Sequence, residues 1–148
     1  DLTLQWLDVY LLEFPLLKGA IAGVFFSPKN AYEVWAHDGH IYQAILELMT
    51  KLKKECVRLS QIGIGFTYPR TISMIINEAY FALEENLASS ADLDEAMKMG
   101  VNYPLGPLDW GNKIGVKFIV ALLDELFYIT KNTRYAVSPM LRLKSLKG

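Results

Sequence analysis

The apolar residues form short compact runs in the first part of the chain and recur with a helical period in the second. Runs rich in β-branched and aromatic residues predict strands over Leu7–Phe14 and Ala20–Phe26. Apolar residues three to four apart predict a helix over His40–Lys54, and alternation predicts a short strand over Glu55–Gln61. The first part is therefore expected to be a small α/β unit.

The second part of the chain is expected to be wholly helical. Pro69 is placed to open a helix that is apolar on nearly every side, and Asn86 to end it in the left-handed conformation. Ser89, three residues before Asp92, is expected to cap the next helix, which is predicted to stop at Gly100. Further helices are predicted over Pro107–Ile114, Val116–Thr130 and Ser138–Leu143.

A rigid corner is predicted at Pro104-Leu105-Gly106-Pro107, between two of these helices. We expect Gly106 to take a positive φ there, since glycine does so without steric cost. Asn77 and Glu78 interrupt the most apolar helix, and buried polar groups require partners. One interpretation is that both form hydrogen bonds with the Asn102–Gly106 corner and fix its shape.

Three sequence blocks carry a resemblance to a known family. They are MIINEAYFALEE (Met74–Glu85), DLDEAMKMGVNYPLGPLDW (Asp92–Trp110) and RYAVSPMLR (Arg134–Arg142). In order and spacing they closely resemble the C-terminal domain of 3-hydroxyacyl-CoA dehydrogenases, the bacterial 3-hydroxybutyryl-CoA type in particular. The resemblance implies a mostly α fold. A helical substrate-binding and dimerisation domain would span residues 66–148, after a partial α/β, Rossmann-like remnant of a nucleotide-binding domain at 1–65.

The implied reaction is the NAD-dependent oxidation of a 3-hydroxyacyl-CoA in fatty-acid or butyrate metabolism. The family works through a His–Glu pair, with the histidine, as general base, in a motif like His-Phe-Phe-Asn-Pro. The similar run here is Val24-Phe25-Phe26-Ser27-Pro28, and valine cannot accept a proton. By the same resemblance Glu33 is the candidate catalytic carboxylate, although its spacing from Val24 is shorter than in the family.

The family also has a substrate-contacting asparagine in a Pro-Gly-Phe-x-x-Asn-Arg motif. The matching run is Ile64–Arg70, in which Pro69 replaces the asparagine and Arg70 is retained. For Asn77 and Glu78 a second interpretation is contact with the thioester or pantetheine of an acyl-CoA. The candidate substrate-binding residues are Arg70, Asn77, Asn102 and Tyr103.

NAD is expected from the resemblance alone, and no residue is assigned to binding it. The glycine loop Gly-x-Gly-x-x-Gly that cradles a pyrophosphate does not occur, and Gly63-Ile64-Gly65 follows the last predicted strand, so it is interpreted as a hinge. We therefore expect no tight cofactor binding. His37 and His40 lie in a polar turn with no third ligand at a suitable spacing, so surface positions and no metal are expected.

The composition and net charge limit the kinds of partner that the chain can have. Apolar residues make up 52% of the 148-residue chain, enough for a packed core, and the net charge of -1 argues against nucleic-acid binding. No apolar run approaches the roughly 18 residues that span a membrane. Cys56 is the only cysteine, which favours a cytoplasmic setting.

The helix Pro69–Glu85 is too apolar for a small domain to cover, so we expect a homodimer with an apolar interface.

Two functional interpretations remain open. The first is a fragment, or a short diverged member, of the dehydrogenase family that is inactive alone. The second is a non-catalytic acyl-CoA-binding or dimerisation module that kept the helical scaffold.

Overall fold

A computed structural model describes residues 16–21, 31–61 and 63–147, and every structural statement below concerns these residues. They form two compact units, Asp1–Arg70 and Thr71–Gly148. Within the described ranges there are six α-helices and one small sheet, which confirms the mostly α fold with a partial α/β segment. The functional division at residues 65 and 66 stays a prediction.

The first unit contains the sheet and one helix. Its elements are β1 (Gly19–Ile21), β2 (Ala31–Ala36), α1 (Gly39–Lys51) and β3 (Glu55–Arg58). The strand order is β1-β2-β3, with β1 antiparallel to β2 and β2 parallel to β3. A parallel pair requires a crossover connection, and α1 supplies it. Val34 of β2 is completely buried and forms part of the core of this unit.

Several boundaries in this unit differ from the predicted ones. The predicted strand Leu7–Phe14 lies outside the described residues, as does most of Ala20–Phe26, of which β1 covers the beginning. No strand was predicted over Ala31–Ala36, where β2 lies. The helix predicted to reach Lys54 ends at Lys51, because Lys53 adopts φ 55°, a left-handed conformation that stops helical hydrogen bonding. The strand β3 ends at Arg58 rather than at Gln61.

The remaining helices lie in the second unit, except that α2 begins in the last residues of the first. They are α2 (Tyr68–Glu84), α3 (Ser90–Val101), α4 (Pro107–Ile114), α5 (Val116–Thr130) and α6 (Pro139–Lys147), with a 3-10 turn at Thr133–Tyr135. The core of the unit is aliphatic: Ile119, Leu122 and Leu123 of α5 are completely buried, as are Ile76 and Leu141. Each such side chain contributes about 1.5–3 kcal/mol through its removal from water.

Local chemistry sets most of the helix ends in this unit. Asn86 takes φ 55° after α2, as predicted. The Ser89 hydroxyl accepts the Asp92 amide at 3.2 Å, so the predicted cap of α3 is confirmed. The predicted stop at Gly100 is wrong by one residue, because Asn102 rather than glycine provides the left-handed residue that ends α3. Among the described residues, no helix combines the length and apolarity needed to cross a bilayer.

Candidate functional site

Glu33, the candidate catalytic carboxylate, lies on β2 and is engaged with the start of α2. Its Oε2 atom accepts the amide of Thr67 at 2.9 Å and the amide of Tyr68 at 3.0 Å, and its Oε1 atom accepts the Tyr68 amide at 3.1 Å. Helix N-termini carry partial positive charge and free amides, so a carboxylate is stabilised there. In this structure Glu33 therefore acts as the cap of α2.

The other two family positions offer no reactive group. Val24, at the base position, lies outside the described residues, and its side chain has no proton acceptor in any conformation. Pro69, at the asparagine position, is the second residue of α2 and is fully buried. Its neighbour Arg70 is half-buried, and its amide donates to the Gly65 carbonyl at 3.1 Å.

Asn77 is buried on α2, and both of its side-chain polar atoms have backbone partners. Its Nδ2 atom donates to the Ala136 carbonyl at 2.8 Å, and its Oδ1 atom accepts the Ser138 amide at 2.9 Å. These bonds hold the chain just before α6, not the Asn102–Gly106 corner, so that part of the structural interpretation is wrong. Glu78 is exposed. The observed bonds favour a structural role for Asn77.

Asn102 and Tyr103 lie together at the corner between α3 and α4. Asn102 is exposed and takes φ 56°. The half-buried ring of Tyr103 packs against Trp110, with ring centroids 5.2 Å apart and an interplanar angle of 57°. Of the four candidate substrate-binding residues, the second unit thus brings these two side by side, whereas Asn77 is occupied elsewhere on α2.

The corner is fixed by a residue that the sequence analysis missed, Asp94 of α3. The predicted positive φ of Gly106 is wrong, because its φ is -71°. Glycine is required there for space: a Cβ on Gly106 would lie 2.2–2.3 Å from side-chain atoms of Asp94. The buried Asp94 carboxylate accepts the amides of Leu108 at 2.7 Å and Asp109 at 3.1 Å, and so caps α4. The sequence does carry a signal for this role. Asp94 lies three residues before Met97, so its carboxylate falls on the same face of α3 as an apolar residue.

An open cavity of about 460 Å³ lies between α2, α3, α4 and α6. Its wall includes Tyr80, Asp94, Asn112 and Lys144. The Lys144 ammonium donates to Asn112 Oδ1 at 2.7 Å and lies 5.5 Å from the Tyr80 ring centroid. This volume is within the range of small-molecule sites, and the wall is more polar than is usual for them.

The histidines and the cysteine show no catalytic arrangement. His37 and His40 are exposed, and His37 Nδ1 lies 3.7 Å from Asp38. The described part of the chain holds no group of three His, Cys, Asp or Glu residues arranged for a metal. Burial raises the pKa of the Cys56 thiol, which lowers its thiolate fraction and its reactivity.

The described residues do not fit a dinucleotide at the start of α2, the helix that follows the predicted glycine hinge. Gly63 and Gly65 come just before α2, and a pyrophosphate would need free amides at the start of that helix. Two of those amides, from Thr67 and Tyr68, already donate to Glu33.

Comparison with known proteins identifies the class. The family model described as the C-terminal domain of 3-hydroxyacyl-CoA dehydrogenase matches residues 65–148. The chain belongs to this family, as the three sequence blocks indicated. The matched region begins just before α2 and includes the corner and the cavity.

The curated relatives are much longer than this chain. The 3-hydroxyadipyl-CoA dehydrogenase of Escherichia coli K12 is 47% identical over 82 residues, which are 55% of this chain and 17% of that protein. The 3-hydroxybutyryl-CoA dehydrogenase of Clostridioides difficile is 34% identical over 100 residues, 68% of this chain and 35% of that protein. The chain therefore spans well under half the length of either relative.

Solved structures show the same relationship. The 3-hydroxybutyryl-CoA dehydrogenase of Escherichia coli K12 matches with a TM-score of 0.82 and 27% identity, over 97% of this chain and 30% of that one. The (S)-3-hydroxybutyryl-CoA dehydrogenase of Ralstonia eutropha matches with a TM-score of 0.70 and 27% identity, over 82% of this chain and 44% of that one.

Proposed function

We propose that the chain supplies the helical domain of an NAD-dependent 3-hydroxyacyl-CoA dehydrogenase and does not carry out the oxidation by itself. In that reaction the C3 hydrogen leaves as hydride to NAD, and the hydroxyl proton passes to a base. The proposal includes a cytoplasmic setting, supported by a single cysteine, which can form no intrachain disulfide.

The geometry of Glu33 supports the proposal that the chain does not carry out the oxidation by itself. A carboxylate that orients a catalytic histidine directs an oxygen at the imidazole, and the carboxylate of Glu33 is held at the start of α2 by the amides that both of its oxygens accept. With Val24 at the base position, no imidazole is present to orient. A positioned general base contributes about 10²–10⁴-fold to a rate, so its loss alone should lower turnover by at least about a hundredfold.

The α3–α4 corner supports the proposal that the chain supplies the helical, substrate-binding domain of the dehydrogenase. Asn102 exposes a polar side chain, and Tyr103 presents part of a ring held by Trp110. A rigid aromatic surface beside an exposed amide suits the alternating apolar and amide groups of a pantetheine arm.

Calorimetric titration with 3-hydroxybutyryl-CoA tests the substrate half. The chain should bind with a measurable heat, and Tyr103→Ala should weaken that binding about tenfold, the loss expected for one aromatic contact. Tyr128→Ala is the matched control, because Tyr128 lies on α5 with 69% of its surface exposed and should leave the affinity unchanged. Equal losses in both variants, or no binding to the parent chain, would exclude substrate binding at the corner.

A dimerisation module is the second candidate function, and an apolar groove favours it. A cavity of about 230 Å³ between α2 and α3 is lined by Ile75, Ala79, Ala82, Leu93, Met97, Pro107 and the exposed Glu78. We propose that this groove belongs to a homodimer interface of more than about 1,000 Å² in total. Light scattering of the chain should then give the dimer mass.

A charge placed in the groove tests this candidate. Ala82→Glu should convert the dimer to a monomer, because burying an unpaired carboxylate in an apolar interface costs several kcal/mol. Ala96→Glu, on an exposed position of α3, is the control and should remain dimeric. A monomeric mass for the parent chain at micromolar concentration would exclude the module.

A further inference from the structure

The start of α2 is unusual because a side chain from a distant strand supplies its cap. Glu33 is 34 and 35 residues before Thr67 and Tyr68, whose amides it accepts. Capping side chains normally come from the residue just before the helix. The cap here depends on the position of β2, the middle strand of the sheet.

The other backbone groups at this helix start are also accounted for. The amide of Phe66 donates to the Gly63 carbonyl at 3.0 Å, and the amide of Arg70 donates to the Gly65 carbonyl at 3.1 Å. Pro69 has no amide hydrogen to satisfy. Together with the two amides that Glu33 accepts, every amide from Phe66 to Arg70 has a partner within the chain.

The backbone before the helix is shaped to make this arrangement possible. Gly65 takes φ 78° and Phe66 takes φ 50°, so two successive residues are left-handed. A non-glycine residue adopts this conformation only when the surroundings hold it there. The two bonds from Thr67 and Tyr68 to Glu33 come directly after this turn and supply such a hold.

We propose that Glu33 fills the anion site at the N-terminus of α2, so that the glycine pair before this helix does not receive the pyrophosphate of a dinucleotide. A phosphate and a carboxylate compete for the same amides and the same helix dipole. An external pyrophosphate would therefore have to displace a carboxylate that the sheet holds in place. The inference rests on the proposed function only for the identity of the excluded cofactor, NAD.

Amide hydrogen exchange in the 148-residue chain tests the cap. In the parent chain the Thr67 and Tyr68 amides should be protected, although both precede the first intrahelical hydrogen bond. In Glu33→Ala both should exchange at least about tenfold faster, since their acceptor is lost. In Glu33→Gln the carboxamide oxygen remains as an acceptor, so partial protection should return.

Glu47→Ala is the matched control, because Glu47 is exposed on α1. It should leave both amides as protected as in the parent chain. If Glu33→Ala does not fold, the comparison of the parent chain with Glu33→Gln still tests whether Glu33 protects the two amides. Unprotected Thr67 and Tyr68 amides in the parent chain would overturn the assignment, as would protection unchanged by either Glu33 substitution.

The exclusion of the dinucleotide has its own measurement. Titration of the parent chain with NAD, followed through amide chemical shifts, should leave the Thr67 and Tyr68 signals in place up to about millimolar concentration. Saturable shifts of these two signals would show that NAD displaces the cap and would overturn the inference. No turnover enters either experiment, so failure here is distinct from failure of the proposed function.

Discussion

Replacement of Gly106 by alanine tests the closest packing in the second unit. The new Cβ would lie 2.2–2.3 Å from Cβ, Cγ and Oδ1 of Asp94, well inside van der Waals contact. Relief by rotation of Asp94 is costly, because its carboxylate accepts the amides of Leu108 and Asp109. The substitution must therefore either strain the backbone or break the cap of α4.

The free-energy cost of each route can be estimated. Overpacking in a rigid site costs about 1–3 kcal/mol, and loss of a hydrogen bond to a charged group costs about 1.5–3 kcal/mol. Since either route relieves the clash, we expect Gly106→Ala to reduce the free energy of unfolding by about 1–3 kcal/mol. For a chain of this size, each kcal/mol shifts the melting temperature by about 2–4 °C.

Thermal unfolding followed by circular dichroism provides the measurement. Gly100→Ala is the matched control, since a Cβ on Gly100 meets nothing within 4 Å and the residue lies inside α3. That change should raise stability by about 0.5–1 kcal/mol, the ordinary advantage of alanine in a helix. Equal melting temperatures for the parent chain and Gly106→Ala would show that the Asp94 contact is wrong.

Three further predictions concern hydrogen bonds and charge. Asn77→Ala should cost about 1–3 kcal/mol by chemical denaturation, since it leaves the buried Ser138 amide and the part-buried Ala136 carbonyl without their partner. Asn112→Ala, on the exposed side of α4, should cost less than about 0.5 kcal/mol. Asp38→Ala should lower the melting temperature at about pH 7 but hardly at about pH 2. The hydrogen bond from the Ile41 amide lowers the pKa of Asp38 in the folded chain. The stability that the ionised Asp38 contributes is therefore present above the unfolded pKa and is lost as pH falls through the folded pKa. Asp124→Asn should change stability by less than about 1 kcal/mol, because both side chains of its bidentate pair with Arg142 remain partly exposed to solvent. A difference above about 2 kcal/mol in low salt would contradict this.

The sequence predicts α2 and the start of α3 well because their signals are local. Proline at a helix start, a left-handed asparagine and a serine cap each act within a few residues. The end of α1 was misplaced because Lys53, which gives no sequence signal, takes the left-handed conformation. The strand β2 was missed because Glu33 interrupts its apolar residues, so that no continuous apolar run marks it.

The candidate site was harder to predict because its contacts join distant parts of the chain. Glu33 reaches Thr67 across 34 residues, and Asp94 reaches Leu108 across 14. No spacing rule connects such pairs, so a carboxylate that caps a helix is indistinguishable in sequence from one prepared for catalysis. Gly106 shows the same limit: its glycine is required by a neighbouring side chain and not by its own φ.

The central claim is that the chain carries the dehydrogenase scaffold without a working reactive centre. Its most direct test is the absorbance of NADH formed from NAD and saturating 3-hydroxybutyryl-CoA, with a full-length family member assayed in parallel. The account predicts no turnover above the blank, because the base position holds Val24 and Glu33 is engaged at the start of α2. Turnover within about a hundredfold of the full-length enzyme would contradict it, since loss of a general base alone costs about that much.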